Sequence, residues 1–392
     1  MRSLFLALGF LTCLSSYAQT PSWLELASFP SLGRDDAIAF EINGRIYCGT
    51  GNHGGFSQSS RFFAFDLNSG NWEEVASFPG ENRQYATAVT YESKAYLFGG
   101  VNPATEALND VWEYDPQSDS WTQMGELPFP ARWASAGTNF ENGIVLASGR
   151  DEDEYFNDAW HYQPVSDSWT QITNLPTLPR FEMVSFTLYD DAYFGLGKDC
   201  TNTLSNQFWR YSSDLSVWEE IAPFPGGGRW YASVGTLDGK AYTGTGMDES
   251  NVFYNDWWEY DPLAKNWSPT TNFPCELRGA SACSVAGTGI VLLTGLDKDY
   301  NRLSKVRQFH KPSNQPVPSS FLYSVSESSL RVINSAPNQY FRIFDLHGKM
   351  VYELISSEDH FEVDLSSLAS GMYVAIQMES EGLSWSHKFV KI

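Results

Sequence analysis

Basic residues are scarce in this chain: 25 lysines and arginines stand against 47 aspartates and glutamates, a formal charge of −22. A field of that sign repels phosphate backbones, so nucleic acid is excluded as a partner held by general charge. The same acidity suits an exported protein that must stay soluble. Histidine is nearly as rare. His53, His161, His310, His347, His360 and His387 show no ligand spacing, so neither a metal site nor a cofactor is expected. The run Asp151-Glu152-Asp153-Glu154 reads as a solvated acidic loop in preference to a calcium site. No nucleophile motif appears, and Pro225-Gly226-Gly227-Gly228 precedes an arginine and a strand, not the helix that a phosphate loop needs.

Long apolar runs are also lacking. The longest, Leu4 to Leu14, is too short to span a bilayer, so no transmembrane segment is expected. With Arg2 before it and Ser16-Tyr17-Ala18 after it, residues 1–18 read as a secretory signal peptide. Of the five cysteines, Cys13 falls in that segment, leaving Cys48, Cys200, Cys275 and Cys283. None keeps a fixed place along the chain, so no disulfide framework is implied. Cys275 and Cys283 are near enough in sequence to bridge, and free buried thiols fit equally well.

Aromatic residues, at 15%, are abundant, and they keep time. Trp23, Trp72, Trp121, Trp169, Trp218 and Trp267 recur at steps of 49, 49, 48, 49 and 49 residues, and Arg34, Arg83, Arg132, Arg180, Arg229 and Arg278 repeat the same steps. A period near fifty marks a propeller or solenoid. Within one period, Ala86–Tyr91, Lys94–Phe98, Val111–Tyr114 and Trp121–Met124 are strand-like runs separated by turn residues, which makes one four-stranded antiparallel sheet. The third strand carries two large rings on one face, for example Trp112 and Tyr114, and only a neighbouring sheet can bury them. One glycine closes each second strand: Gly51, Gly100, Gly149, Gly197, Gly246 and Gly295.

These slots resemble the kelch repeat. Asn109-Asp110-Val111-Trp112-Glu113-Tyr114-Asp115-Pro116 matches it in full and Asn255-Asp256-Trp257-Trp258-Glu259-Tyr260-Asp261-Pro262 nearly so, while the first glycine of the kelch pair survives only as Gly99. The implied fold is all-β, a six-bladed propeller over residues 19–311 with blades starting near 34, 83, 132, 180, 229 and 278. The last blade lacks its fourth strand, and Ser22-Trp23-Leu24-Glu25-Leu26-Ala27-Ser28 duplicates one, so the N-terminal strand is expected to complete it and leave no free edge. Residues 312–320 read as a linker. Residues 321–392 alternate as a small antiparallel β-sandwich that resembles the C-terminal sorting domain of type IX secretion substrates in Bacteroidetes. The likeness rests on Ile343-Phe344-Asp345-Leu346-His347-Gly348-Lys349-Met350-Val351, Leu368-Ala369-Ser370-Gly371-Met372-Tyr373-Val374 and Lys388-Phe389-Val390-Lys391-Ile392. It implies a secreted or cell-surface protein and the type IX machinery as a partner.

In an up-and-down blade the connections between strands d and a and between b and c emerge on one face, with strand a innermost. Arg34, Arg83, Arg132, Arg180, Arg229 and Arg278 precede strand a, so they are expected to ring the mouth of the axial channel there. Arg150 and Lys198, which follow two of the repeated glycines, are expected beside them. Trp133, Trp230, Tyr231 and Glu182 break the repeat symmetry and are candidate site residues for that reason. A cationic, aromatic-edged funnel suits a glycan, an acidic small ligand or a protein partner. The arginines equally suit a scaffold role, paired with neighbouring-blade carboxylates or loop carbonyls. A binding module is the favoured reading. The alternative is a carbohydrate-active enzyme resembling the six-bladed kelch sialic-acid mutarotases (N-acetylneuraminate epimerases), with Glu182 as the candidate acid/base.

Overall fold

The structure is a computed structural model. It describes residues 21–311 apart from 55–56, 213–214 and 286–287, and then 323–325, 329–333, 339–345, 350–356, 360–369, 371–379 and 382–391. The expected signal peptide and linker lie outside the described residues. Among these residues no helix is long and apolar enough to cross a membrane.

Six four-stranded antiparallel sheets account for residues 22–310. Blade 2 is representative, with strands a to d at Thr87–Tyr91, Lys94–Phe98, Asp110–Asp115 and Ser120–Glu126. The repeat tryptophan has a physical role in every unit where its bond is made. From strand d, Trp72, Trp121, Trp218 and Trp267 donate their indole N–H to the carbonyl 45 residues earlier, at 2.7–3.1 Å. Each rivets its blade to the loop leaving the previous one. The paired third-strand aromatics fill the gaps between blades, as Tyr114 does against Phe40 and Tyr47 of blade 1. Burying each such ring stabilises by about 1.5–3 kcal/mol.

The ring closes as the sequence suggests. Ser22–Leu26 pairs antiparallel with Val306–His310, from Ser22 opposite His310 to Leu26 opposite Val306. Trp23 packs against Trp257, Phe273 and Phe309 and donates to the Thr271 carbonyl. The glycine N–H of each blade bonds the backbone carbonyl at the start of the next blade, and the last of these, Gly295 to Arg34 at 2.7 Å, joins blade 6 to blade 1.

The tail has a three-stranded sheet (Tyr323–Val325, Ser329–Ile333, His360–Asp364) and a four-stranded one (Met350–Ser356, Gln339–Asp345, Gly371–Glu379, Gly382–Lys391). Cys48, Cys200, Cys275 and Cys283 are free thiols, so Cys275 and Cys283 are not bridged.

Candidate functional site

Five of the six repeated arginines are not at the mouth. Arg34, Arg83, Arg132, Arg180 and Arg229 are at most 3% exposed. Each guanidinium reaches the carbonyl 16 residues on, those of Thr50, Gly99, Ser148, Leu196 and Thr245. Three of them also grip a carboxylate with both nitrogens: Arg83 with Asp110 at 2.5 and 2.7 Å, Arg132 with Asp158 at 2.6 and 3.0 Å, and Arg229 with Asp256 at 2.5 and 3.0 Å. Phe29, Phe78, Phe129 and Phe224 cover the guanidiniums of Arg34, Arg83, Arg132 and Arg229. The expectation that these five bind a ligand is therefore corrected. They tie strand a to strands b and c inside one blade, because a buried fork of donors needs every acceptor around it.

Arg278 is the exception, and the cause is a shift of register. The slot held by arginine in blades 1 to 5 is filled in blade 6 by Leu277, whose carbonyl accepts from Gly246 as the arginine carbonyls do in theirs. Three residues separate Val285 from Gly289 across the a–b turn of blade 6, where two separate Leu237 from Lys240 in blade 5. Strand a is thereby displaced by one residue, and Arg278 takes the place that Asp35, Gln84, Trp133, Phe181 and Trp230 hold elsewhere. Each of these is bridged to the residue after a repeated glycine: Asn52, Val101, Arg150, Lys198, Met247 and, for Arg278, Leu296. The predicted meeting of the two loop sets on one face is thus observed.

One residue further along, a collar closes around the axis. Asp36, Tyr85, Ala134, Glu182, Tyr231 and Gly279, one per blade, all have left-handed backbones with φ between 52° and 58°. Their amides and carbonyls bond round the ring: Asp36 to Gly279, Gly279 to Tyr231, Tyr85 to Asp36, Ala134 to Tyr85 and Glu182 to Ala134. Non-glycine residues hold such angles at a cost of about 1–2 kcal/mol each, and only where their surroundings enforce them. The collar lines a cavity of about 130 Å³. Below it the channel continues past alanines and serines of the six a strands, through a space of about 220 Å³ lined by Ala37, Ala86, Ser135, Met183, Ala232 and Ala280 among others.

Three carboxyls, those of Asp35, Asp36 and Glu182, and the guanidiniums of Arg278 and Arg302 meet at this throat. Arg278 faces Asp35 at 3.6 Å and Asp36 at 3.9 Å, and Arg302 donates to Asp35 at 2.6 Å. Burial, then the charge of Asp35, pushes the Asp36 carboxyl up to about 7, against the opposing pull of Arg278 and the Tyr85 hydroxyl. Burial, then Asp36, holds the Glu182 carboxyl well above the usual carboxylate range. Burial likewise raises the phenols of Tyr85 and Tyr231, whose oxygens lie 3.4 Å apart. Four buried polar atoms at or beside the collar have no hydrogen-bond partner: Glu182 Oε1, Arg278 Nη1, Gln84 Oε1 and Trp230 Nε1. They are four of fifteen such atoms among the described residues, and these four are the ones placed where a ligand or solvent entering the mouth could pair with them.

An arc of rings surrounds the throat. Tyr85, Trp133, Phe181, Trp230 and Tyr231 follow one another at centroid distances of 4.5–6.2 Å. Cations lie over it: Arg150 on Trp133 and Tyr155, Lys198 on Trp230, and Arg278 on Tyr231. Arg150 is held by Tyr155 and by the carbonyls of Asp151 and Glu152. Of the residues singled out in the sequence, Trp133, Arg150, Glu182, Lys198, Trp230, Tyr231 and Arg278 thus gather at one mouth. Gln84, Tyr155 and Phe181 were not foreseen as part of it.

The KLHDC2/KLHL20/DRC7 Kelch-repeats domain matches residues 18–197. Residues 18–197 thus carry a kelch-repeat domain within the six-bladed propeller. Residues 324–392 match the secretion system C-terminal sorting domain, so this kelch protein is exported to the cell surface or beyond it by the type IX route. No curated protein matches the chain. Among solved structures, "Structure of YjhT" is similar at a TM-score of 0.62 and 14% identity, covering 72% of this chain and 96% of its own. At that identity the likeness shows the fold alone.

The raised carboxyls make a prediction. A group that keeps its proton longer in the folded than in the unfolded chain stabilises fully below its ordinary value, 3.8 for Asp36, and that stabilisation is lost as pH rises to about 7. The melting temperature of the kelch protein is therefore expected to fall between pH 5 and pH 7, and Asp36→Asn to flatten the slope by up to about 1.4 kcal/mol per pH unit. Thermal melts across that range check it, and an unchanged slope in the variant contradicts it.

Proposed function

We propose that this exported kelch protein binds a glycan at the d–a/b–c mouth of its channel. The observation that carries the reading is the set of unpartnered buried polar atoms of Glu182, Arg278, Gln84 and Trp230 beside a continuous arc of aromatic rings. Sugars match that combination. Their apolar C–H faces stack on rings, and their hydroxyls accept from cations and indoles and donate to carboxylates. A purely ionic ligand fits less well, since five of the repeated arginines are committed to the scaffold and Arg278 already faces two aspartates.

Calorimetric titration of the mature protein with a panel of neutral and acidic oligosaccharides tests this. At least one is expected to bind, and Trp133→Ala or Trp230→Ala to weaken it by roughly tenfold or more while the fold, followed by melting, is kept. No binding across the panel, or variants within twofold of the parent, removes the reading.

A second reading rests on Glu182. A buried carboxyl held well above the usual carboxylate range, with one oxygen that has no hydrogen-bond partner, has the equipment of a general acid. The proposal here is sugar epimerase or mutarotase activity. Anomeric exchange of sialic acid, followed by NMR, is then accelerated by the protein and slowed again by Glu182→Gln. No acceleration by the parent protein excludes this reading and leaves the binder intact.

A further inference from the structure

The channel has a second end, and its wall changes character there. Strand a of the six blades spans Ile38–Ile42, Thr87–Tyr91, Ala136–Phe140, Val184–Leu188, Ser233–Leu237 and Ser281–Val285. Second and fourth residues of a strand share a face, and here that face lines the channel. The second residues are Ala39, Ala88, Gly137, Ser185, Val234 and Ala282, none larger than valine. Every fourth residue carries oxygen: Glu41, Thr90, Asn139, Thr187, Thr236 and Ser284. All twelve border one space of about 310 Å³. A further space of about 390 Å³, reached past Glu41, Thr187, Thr236 and Ser284, continues it to the a–b turn residues Tyr189 and Asp238.

The hydroxyl protons of this ring are already committed. Thr90 donates to the Glu41 carbonyl at 3.0 Å, Thr187 to the Asn139 carbonyl, and Thr236 to the Ser284 hydroxyl at 3.3 Å. Each bond crosses from one blade to its neighbour, so what these hydroxyls have left for the axis is lone pairs. Glu41 adds the ring's one charge. Its carboxyl accepts from the Gly44 amide, and burial pushes it up, with no cation among the groups that act on it. A carboxylate held half-buried in a wall of acceptors is costly without a counter-charge. The net charge of −22 draws small cations towards the disc.

We propose that the a–b end of the channel binds a divalent cation that keeps most of its water, as magnesium does. Among the described residues no three His, Cys, Asp or Glu side chains cluster as ligands, so the ring does not replace a whole water shell. Magnesium does not require that. It sheds water reluctantly and is held through one or two carboxylates. Glu41 is that carboxylate, and the retained waters donate to the hydroxyl oxygens around it. A space of about 310 Å³ has room for the shell, at roughly 30 Å³ for each water. The scattered histidines argue against a transition metal and have no bearing on an ion that prefers oxygen. This site lies at the opposite end of the channel from the proposed glycan, and neither reading depends on the other.

The test uses the mature full-length protein, freed of metal by a chelator, then titrated calorimetrically with MgCl2 and melted with and without it. A bound ion stabilises by mass action, so the melting temperature is expected to rise with MgCl2 and not with NaCl of equal ionic strength. Glu41→Gln keeps the side chain's shape, removes its charge, and is expected to weaken magnesium binding roughly tenfold or more. Without magnesium the variant is expected to melt no lower than the parent, since it buries no charge. Asp153→Asn, in the exposed acidic loop on the other face, is expected to bind as the parent does. Equal stabilisation by NaCl, or Glu41→Gln binding as tightly as the parent, overturns the site. So does Asp153→Asn losing as much as Glu41→Gln, which would show general attraction to an acidic surface. CaCl2 binding more tightly than MgCl2 overturns the hydrated ion.

Discussion

Deleting residues 22–30 is expected to abolish cooperative melting of the propeller. The deletion removes the whole ladder between Ser22–Leu26 and Val306–His310, exposing the edge of blade 6. It also removes Trp23, which packs on three aromatic rings at 4.7–5.4 Å, and Phe29, which packs on Phe63 and Trp72 across the seam with blade 1. Losing a large buried aromatic costs about 3–5 kcal/mol. Two of them, with the ladder, approach the whole stability of a typical domain, about 5–15 kcal/mol. Calorimetry and near-ultraviolet circular dichroism of the truncated protein check this. A melting temperature within a few degrees of the parent would mean that the disc closes without its N-terminal strand.

The second large effect is expected at the buried arginines. Arg83→Met leaves the Asp110 carboxylate and the Gly99 carbonyl without their shared partner in a buried place. Breaking such a pair from one side costs about 3–5 kcal/mol. Arg180→Met should cost less, because its partner Gln207 is neutral and lies at 3.2 Å. Adding Asp110→Leu to Arg83→Met should recover much of the loss. Blade 6 already carries that solution, with Leu277 in the arginine slot and Lys305, which is exposed, where the aspartate would stand. Denaturant titrations of the single and double variants give the coupling. Near-zero coupling between Arg83 and Asp110 would show that the pair does not hold the blade.

The architecture was readable because each blade needs the same few side chains at the same places. A ring that must cover its neighbour, an indole that must reach back 45 residues and a glycine at the turn leave a period that no local ambiguity hides. The candidate site was half readable, and for the converse reason. Repetition marks scaffold, and of the two roles open to the repeated arginines five take that one, while Trp133, Glu182, Trp230 and Tyr231 stand out by differing from their equivalents. Arg278 was placed at the mouth correctly but as the sixth member of a set to which it does not belong. Its one-residue displacement is invisible to spacing, because the longer a–b turn of blade 6 is offset by a shorter approach to its strand a.

That displacement has an evolutionary consequence. The a–b turn of blade 6 lies at the far end of strand a from the mouth. Yet adding one residue to that turn slides a whole strand and exchanges a buried leucine and an axial arginine between environments. A length change in a distant hairpin thus rewrites the chemistry of the opening without altering any residue that lines it. Propellers of this kind can change the chemistry of one face by insertion and deletion on the opposite one.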